Sequence, residues 1–337
     1  MARILLTGFG PFGNHETNRT GRLATMLHGS ILDLPDPHAG WRVPERIAQT
    51  EVVGLELPVD GSASDIVQEH IGEVDSVLML GLCATCETPR LERLARNRNA
   101  FTIPDASGRV AEGIIDPKGS DLTSTAAPHR WPLETAPVPV QLSTDAGGYI
   151  CNEAYYGVLS AQRNDASERR ILFLHVPLEA GLDDVAFQAL VEWSLALLVH
   201  PPLVEVAAGL LMDDEGRLLA CRRSPERSWP GWWEFPGGKI EFGETPRQAL
   251  VRELKEELSI DVNDDDLQYF GIEYHRYPEV DVRMHLFIVR SWSGTLACSA
   301  HDALRWLDRD RLSEVRWLPA DGPILDRWSS MPHPAGP

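Results

Sequence analysis

The sequence predicts an α/β protein made of two domains. A chain of 337 residues is long for a single hydrophobic core. Both halves mix strand-like apolar runs with stretches of helical period, which is typical of α/β or α+β domains. The pair Pro201-Pro202 interrupts the chain between the halves. We therefore expect one domain over residues 1–200, a second over 203–328, and a flexible tail over 329–337.

Composition narrows the class of protein. Hydrophobic residues make up 43% and charged residues 24% of the chain, as in ordinary soluble proteins. A formal charge of −19 argues against binding to a nucleic-acid backbone, which needs a basic surface. Five cysteines do not indicate a disulfide framework, and no apolar run is long enough for a signal peptide or a membrane span. We expect a cytoplasmic protein.

Local patterns predict the elements around the boundary. The stretch 181–199 has apolar residues at helical spacing, and His200-Pro201-Pro202 ends that helix because proline lacks an amide hydrogen. A strand-like run over 204–212 follows, and a turn over 213–216 comes after it. The second domain therefore begins with a strand.

Closely spaced carboxylates mark the centre of the second domain. The stretch 245–248, Thr-Pro-Arg-Gln, is typical of a helix start with a capping box. Glu253, Glu256 and Glu257 follow at positions i, i+3 and i+4, so they share one face of the helix. Like charges this close repel one another unless a hard cation lies between them. The pattern predicts a divalent-metal site, and the alternative is a solvated acidic face.

The stretch 237–257, from Gly237-Gly238 to Glu256-Glu257, resembles the Nudix box at each position, and Ser259 replaces the usual glycine. The stretch 233–246 resembles the MutT branch, whose members cut nucleoside triphosphates to a monophosphate and pyrophosphate. The resemblance covers about residues 203–328 and implies an α/β/α domain with a mixed sheet. It also implies Mg²⁺, with Mn²⁺ as the alternative, held by Gly238, Glu253, Glu256 and Glu257.

The same resemblance implies roles around the metal. Arg223 would bind phosphate or sugar, Phe235 would line the base pocket, and Glu253 would take part in catalysis. Relatives often carry a glutamate as general base before the strand of Trp306, but Ala300 stands at that position here. The residues that could replace this base are Glu253, His301 and Asp302, and slow or absent turnover is the alternative outcome.

Asp321 is a candidate for reading the base. In oxidised-guanine hydrolases of the resembling branch an asparagine stands at this position, and an amide offers both a donor and an acceptor. An ionised aspartate only accepts, which suits the amino group of cytosine. We therefore expect a preference for cytosine over oxidised guanine, with a plain Asp-Gly turn as the alternative.

In the first domain, one cysteine has the setting of a nucleophile. Cys151 follows Gly147-Gly148 and precedes a stretch of helical character over 153–162. A thiol at a helix N-terminus is activated because the helix dipole favours the thiolate. The alternative is a small buried apolar residue.

Three segments support the nucleophile hypothesis: 7–13 (Thr-Gly-Phe-Gly-Pro-Phe-Gly), 91–97 (Leu-Glu-Arg-Leu-Ala-Arg-Asn) and 173–177 (Phe-Leu-His-Val-Pro). With Cys151 they resemble pyroglutamyl peptidase type I over residues 1–199. The resemblance implies a three-layer α/β/α sandwich in which Cys151 is the nucleophile, His175 its base and Glu92 the residue that orients the base. It further implies substrate contacts by Phe9, Phe12, Asn18, Ile103, Tyr149 and Ile150. A core histidine and a surface Glu92–Arg93 pair are the alternatives.

The first domain also departs from that family. A helix expected between Asp105 and Ser143 is missing from the pattern, because the stretch 129–139 is rich in proline. The chemistry could therefore have moved to another lactam or amide. The spacing of Cys83 and Cys86 resembles half of a zinc site, but a second ligand pair is absent from the sequence, so we reject a metal there.

The leading interpretation is a fusion of two hydrolases with small-molecule substrates, without nucleic-acid or membrane partners, and with self-association as an open alternative. A second interpretation makes the Nudix half a nucleotide sensor, and a third makes the N-terminal half a scaffold. The oligomeric state and the reason for the fusion are not encoded in any local pattern.

Overall fold

The structure is a computed structural model that describes residues 1–13, 16–38, 46–163 and 169–331. It divides into two compact units between Pro201 and Pro202. The last helix extends through Ser330, two residues past the expected end of the second domain at residue 328. The rest of the expected tail, residues 332–337, lies outside the described residues.

The first unit is built on strands and helices that alternate along the chain. Its elements are β1 (Ala2–Phe9), α1 (Arg19–Leu27), β2 (Ile31–Pro35), β3 (Ile47–Leu57), α2 (Ala63–Ile71), β4 (Ser76–Leu82), β5 (Arg90–Glu92), β6 (Leu94–Ala95), β7 (Asn99–Ala100), β8 (Glu112–Gly113), β9 (Leu122–Thr123), β10 (Gln141–Ser143), α3 (Ile150–Gln162), β11 (Arg170–Val176) and α4 (Asp184–Val199).

Seven of these strands form one sheet in the order β10-β5-β11-β4-β1-β3-β2. Its centre, from β11 to β3, is parallel, while β5 and β2 run antiparallel to β11 and β3. Alternate residues of the central strands point to opposite faces: Ile4 packs with α1 and α4, whereas Leu5 packs with α2 and α3. Helices on both faces make this a three-layer α/β/α sandwich, as predicted.

The centre of this sheet explains the position of the candidate residues. Strands β4 and β11 are buried on both faces, so they read as continuous apolar runs. His175 lies opposite Gly81 near their carboxyl ends, where ligands gather in open parallel sheets. Between Asp105 and Ser143 the structure contains three short strands and two 3₁₀ turns, Pro128–Arg130 and Leu133–Thr135. The predicted lack of a long helix there is confirmed.

The second unit contains β12 (Leu203–Leu211), β13 (Leu218–Arg223), β14 (Trp233–Glu234), β15 (Gly237–Lys239), α5 (Pro246–Leu258), β16 (Gln268–Arg276), β17 (Asp281–Val289), β18 (His301–Leu307) and α6 (Gly322–Ser330). One mixed sheet has the order β15-β12-β17-β16, and a smaller one has the order β14-β13-β18. Helix α5 packs on one core and α6 on another, which gives the α/β/α arrangement that the sequence predicted.

Helix α5 forms for the reasons read from the sequence. Thr245 accepts from the backbone N–H of Gln248, and the Gln248 side chain accepts from the Thr245 N–H, which completes the capping box. The apolar stripe of Leu250, Leu254 and Leu258 is fully buried. Ser259 ends the helix in the left-handed region at φ 58°, where the family's usual glycine would be unstrained.

Candidate active sites

In the first unit, the structure brings together the three residues that were expected to form a triad. Glu92 ends β5, His175 lies near the end of β11, and Cys151 is the second residue of α3. The Nδ1–H of His175 donates to Oε1 of Glu92 over 2.9 Å, because an ionised carboxylate can only accept. Glu92 is fully buried and His175 nearly so. This pair is an ion pair or hydrogen bond inside the protein, not a surface contact.

The environment of His175 favours its charged form. Burial alone would lower its pKa, but hydrogen bonds with Cys151 and Glu92, together with the negative charges of both groups, raise the pKa of His175 to about 9. The imidazole therefore favours its protonated form at neutral pH.

A cavity of about 140 Å³ opens beside Cys151. Its wall is mostly apolar and consists of Phe9, Phe12, Asn18, Val59, Leu82, Ala84, Tyr149, Ile150, Cys151 and Leu178. Five of the six expected substrate contacts, Phe9, Phe12, Asn18, Tyr149 and Ile150, thus lie around one space. The cavity is small and suits a compact, largely apolar ring.

Two polar anchors shape this cavity. Asn18 caps α1 by accepting from the Thr20 N–H, and its amide donates to the Gly10 carbonyl over 3.2 Å. The Tyr149 hydroxyl donates to the carbonyl of Pro104 over 2.9 Å, and its ring packs against Phe12. These bonds fix the aromatic wall, so the cavity is present before any substrate binds.

Ile103 is the exception among the expected contacts. Its side chain is 51% exposed and does not line the cavity. Phe101, two residues earlier, packs against the Tyr149 ring at 4.7 Å instead. The chain turns just after Ile103, at Asp105, whose carboxylate accepts from the Ser107 hydroxyl and the Arg109 N–H. This turn leaves Ile103 at the surface. Ile103 therefore lies outside this cavity, and its contact with substrate stays a prediction.

Cys83 and Cys86 form a disulfide that the sequence analysis did not anticipate. Their Cα atoms are 5.4 Å apart, and the Cys83 N–H donates to the carbonyl of Val176 over 2.8 Å. Ala84, inside the bridged turn, belongs to the cavity wall. The C-x-x-C spacing was the available signal, and it indicates a bridge here because the two residues form one tight turn after β4.

In the second unit, Glu253 lies directly against the glycine pair. A Cβ atom placed on Gly238 would come within 2.3 Å of the Glu253 carboxyl carbon, so a side chain there would displace the Glu253 carboxylate. The Gly237 N–H donates to Oε2 of Glu257 over 3.1 Å. The backbone of 237–238 thus lies against two carboxylates of α5, and carboxylate oxygens suit a hard divalent cation.

Two arginines balance these carboxylates. Arg252 contacts Glu253 at 2.8 Å and Glu256 at 3.3 Å, while Arg227 contacts Glu257 at 3.1 Å. Among the described residues, the structure contains no group of three or more acidic, histidine or cysteine side chains arranged to hold a metal ion. The reason is visible in these contacts: each glutamate points toward an arginine. Glu257 is buried, which raises its pKa against the opposing effects of His301, Gly237 and Arg227.

Arg252 also holds the loop that precedes α5. Its guanidinium binds both oxygens of Glu244 at 2.7 and 2.9 Å and donates to the Lys239 carbonyl at 3.0 Å. The hydrogen bonds from Arg252 are the main cause that lowers the pKa of Glu244 to about 2. Arg252 therefore ties the loop of 239–244 to α5 and positions the glutamate face.

A cavity of about 630 Å³ lies in the second unit. Arg223, Phe235 and Asp321, all expected to contact substrate, line it, and Gly237 lies in the same wall. Asp321 is 3% exposed, and its Oδ2 lacks a hydrogen-bond partner among the described residues. Burial and the nearby Glu234 raise its pKa well above 3.8, against the effect of Arg223. Burial therefore shifts Asp321 toward its protonated form, which the expectation of an ionised aspartate did not include.

Glu234 is a site residue that the sequence analysis missed. It lines the cavity, pairs with Arg223, and accepts from His301 Nε2 over 3.2 Å. Its position between the tryptophan and phenylalanine of the 232–235 stretch was the available signal. Asp302, another candidate base, pairs with Arg222 at 2.6 Å instead. Of the candidates for the role left open by Ala300, Glu253 lies nearest the glycine backbone and His301 lies beside the cavity.

Family comparisons agree with this division. The family model for pyroglutamyl peptidase matches residues 2–185, and the NUDIX domain model matches residues 202–330. A CTP pyrophosphohydrolase of Escherichia coli K12 is 33% identical over 38% of this chain and 93% of that protein. An 8-oxo-dGTP diphosphatase of Proteus vulgaris is 38% identical over 28% of this chain and 81% of that protein. A pyrrolidone-carboxylate peptidase of Levilactobacillus brevis is 30% identical over 52% and 81%.

The fold and the two sites thus define a chain with two hydrolase domains. By its first 185 residues it belongs to the pyroglutamyl peptidase family, a cysteine peptidase family, and from residue 202 it carries a Nudix hydrolase domain. Within the described residues, the structure has no helix that is long and apolar enough to cross a membrane.

Proposed function

We propose that the first unit is a thiol peptidase or amidase that removes pyroglutamyl-like groups. The observation that carries this proposal is the buried Glu92–His175 hydrogen bond beside Cys151, at the wall of a small apolar cavity. A relative is named pyrrolidone-carboxylate peptidase, which favours a lactam ring as the occupant. The ring would lie between the aromatic side chains, and the acyl carbonyl that joins it to the leaving amine would lie at the Cys151 sulfur.

The proposed reaction has two steps, formation of a thioester and its hydrolysis, and the triad takes part in both. Cys151 transfers its proton to His175 and attacks the amide carbonyl, which forms a thioester once the C–N bond breaks. His175 returns that proton to the leaving amine. Water then attacks the thioester while His175 takes the water proton and gives it to the departing Cys151 sulfur. Glu92 holds the imidazole in one orientation and stabilises its charged form throughout.

The test uses a pyroglutamyl arylamide as substrate. Cys151→Ala should eliminate release of the arylamine, because it removes the nucleophile. Cys298→Ala is the matched control, since Cys298 is a free and exposed cysteine of the second unit. If the wild-type protein never cleaves the arylamide, the first unit has another substrate or none.

We propose that the second unit is a Mg²⁺-dependent pyrophosphohydrolase of nucleoside triphosphates, with CTP or dCTP as its preferred class. The observation that carries this proposal is the contact between the Gly238 backbone and the Glu253 carboxylate at the edge of the 630 Å³ cavity. The products would be a nucleoside monophosphate and pyrophosphate. A relative named CTP pyrophosphohydrolase supports the class of substrate.

The residues that would hold the metal are the Gly238 carbonyl, Glu253, Glu256 and Glu257. When bound, the metal would supply a Lewis acid at the phosphoryl oxygens. Arg223, held by Glu234 and by the Ser228 carbonyl, points its charge into the same cavity.

Asp321 supports the base preference because a carboxyl oxygen would accept from the cytosine amino group. Burial raises the pKa of Asp321 and so favours its protonated form. In that form its O–H would also donate to the neighbouring ring nitrogen. A relative named 8-oxo-dGTP diphosphatase keeps oxidised guanine as the second candidate. A panel of triphosphates with Mg²⁺, with both products resolved, decides between them.

Two rival functions remain testable with the same protein. If the Nudix unit is a sensor, it binds nucleotide but releases no pyrophosphate in the steady state. If the first unit is a scaffold, Cys151 should react with iodoacetamide no faster than an ordinary thiol near neutral pH. The hydrogen-bonded triad favours catalysis over the scaffold because a scaffold has no need of a buried Glu–His pair.

A further inference from the structure

The loop between β13 and β14 presents an aromatic ring to the large cavity of the second unit. Two backbone hydrogen bonds close the neck of this loop: Arg223 N–H donates to the Trp232 carbonyl at 2.9 Å, and Gly231 N–H donates to the Arg223 carbonyl at 3.0 Å. Arg223 Nε also donates to the Ser228 carbonyl at 2.6 Å. The loop is therefore held from inside by a residue of the cavity wall.

Trp229 lies at the tip of this loop in an unusual conformation. Its φ is +59°, in the left-handed region that bulky side chains avoid, and it precedes Pro230, a position that favours extended backbone. Trp232 N–H donates to the Trp229 carbonyl at 3.2 Å, and Gly231 has φ +77°, so residues 229–232 form a type II turn. Such strain persists where the surroundings hold it, and it concentrates at ligand sites.

Two neighbouring aromatic rings hold the Trp229 ring in position. It packs edge-on against Trp232 with centroids 4.7 Å apart and lies 5.9 Å from the ring of Tyr277. Tyr277 belongs to the hairpin turn that joins β16 and β17, so two turns meet in an aromatic corner at the cavity wall. Yet the Trp229 side chain is 40% exposed and lines the cavity. A large apolar ring is thus fixed in place with part of its surface uncovered.

We propose that Trp229 stacks on the nucleobase of the substrate and supplies base affinity that does not depend on which base is present. This inference rests on the proposed nucleotide hydrolase function. Trp229 shares the cavity with Arg223, whose charge suits phosphate or sugar, and with Asp321, which suits a base edge. Every base has a π-face, so stacking accepts any base, whereas hydrogen bonds to the base edge distinguish one base from another. Trp229 and Asp321 therefore divide the tasks of holding and of reading the base.

The test measures the contribution of the base to binding separately from that of the sugar and phosphates. Binding is measured by calorimetry with Mg²⁺ for the α,β-methylene analogue of CTP and for ribose 5-triphosphate, which has no base. Trp229→Ala should weaken the CTP analogue by about 5-fold to about 100-fold, the usual range for one stacked base, and should leave ribose 5-triphosphate unchanged. The loss should be similar for the GTP analogue. Trp229→Phe should keep most of the affinity.

Two further variants serve as controls. Tyr269→Ala removes an aromatic ring that is 55% exposed on β16 and does not line the cavity, so it should change neither affinity. Trp229→Asn also removes the ring, but asparagine tolerates the left-handed backbone, so it should match Trp229→Ala in binding without loss of thermal stability. Equal weakening of both ligands by Trp229→Ala, or no weakening, would overturn the stacking role. A wild-type protein that binds neither ligand would instead overturn the proposed hydrolase function.

Discussion

The Nδ1–H of His175 donates to Oε1 of Glu92 over 2.9 Å, and the two side chains are buried where β5 and β11 lie side by side. The bond orients the imidazole so that its other nitrogen is available to Cys151. It also stabilises positive charge on the ring in a place where water cannot. This contact orients the imidazole and, together with the hydrogen bond to Cys151, raises the pKa of His175.

Glu92→Gln should lower kcat/KM for a pyroglutamyl arylamide by about 10²-fold to about 10⁴-fold. The amide keeps the shape of the side chain but removes its charge, and its NH₂ group can hold the imidazole in the wrong tautomer. The rate of Cys151 alkylation by iodoacetamide at pH 7 should fall as well. A variant with unchanged alkylation and activity would show that Glu92 has only a packing role.

The peptidase activity should be lost as pH rises through about 9. The pKa of His175 is raised to about 9, so its protonated form persists through neutral pH and disappears above that value. Loss of this proton removes the acid that protonates the leaving amine. The measurement is kcat/KM against pH, and in Glu92→Gln the alkaline limb should move to lower pH. An alkaline limb that is the same in both proteins contradicts the assignment.

Gly81→Ala should reduce peptidase activity and stability together. A Cβ atom on Gly81 would lie 2.7 Å from the Phe173 ring and 3.0 Å from the Cys151 sulfur, so the nucleophile must shift. Overpacking of this kind costs about 1–3 kcal/mol in stability. Gly72→Ala is the matched control, because a Cβ there meets nothing within 4 Å. Equal activity in the two variants would mean that the sulfur position is not critical.

Several elements could be predicted because their signal is local. The capping box of Thr245 and Gln248 and the leucine stripe of α5 need only the spacing of residues along one helix. The triad could not be predicted from local spacing, because Glu92, Cys151 and His175 come from three elements. Resemblance to a known family assigned them to one site. The exposed position of Ile103 could not be predicted because the turn at Asp105 depends on side-chain hydrogen bonds that have no periodic pattern.

The raised pKa of Asp321 could not be predicted from the sequence for a related reason. Burial is the main cause of its raised pKa, and burial is a property of the folded cavity. The disulfide of Cys83 and Cys86 likewise depends on the geometry of a turn, which the spacing of the two cysteines permits but does not determine. Tertiary surroundings, rather than residue type, decide both features.

Asp321→Asn should retain nucleotide hydrolysis at pH values below the raised pKa of Asp321, because the amide, like the protonated carboxyl, provides one acceptor and at least one donor. Asp321→Leu should lose about 1–3 kcal/mol of transition-state stabilisation for CTP, the usual scale of one good base contact. The pKa of Asp321 is raised, so its donor is present at low pH and lost as pH rises through that pKa. The ratio of wild-type to Asp321→Asn activity should therefore fall at high pH. A constant ratio would argue against a titrating Asp321.

Glu256→Gln and Glu257→Gln should each abolish Mg²⁺-dependent pyrophosphate release while the fold stays intact, because each removes a hard oxygen ligand. Asp265→Asn is the control, since Asp265 is an exposed carboxylate outside α5. Circular dichroism checks the fold. Undiminished turnover in both glutamine variants would place the metal elsewhere.

The central claim is that one chain carries two separate hydrolytic sites. The most direct measurement assays the wild type, Cys151→Ala and Glu257→Gln for both arylamine release from a pyroglutamyl arylamide and pyrophosphate release from CTP with Mg²⁺. Because the two residues lie in different units, each variant should lose one activity and keep the other. A wild-type protein that lacks either activity, or a variant that loses both, would contradict the account.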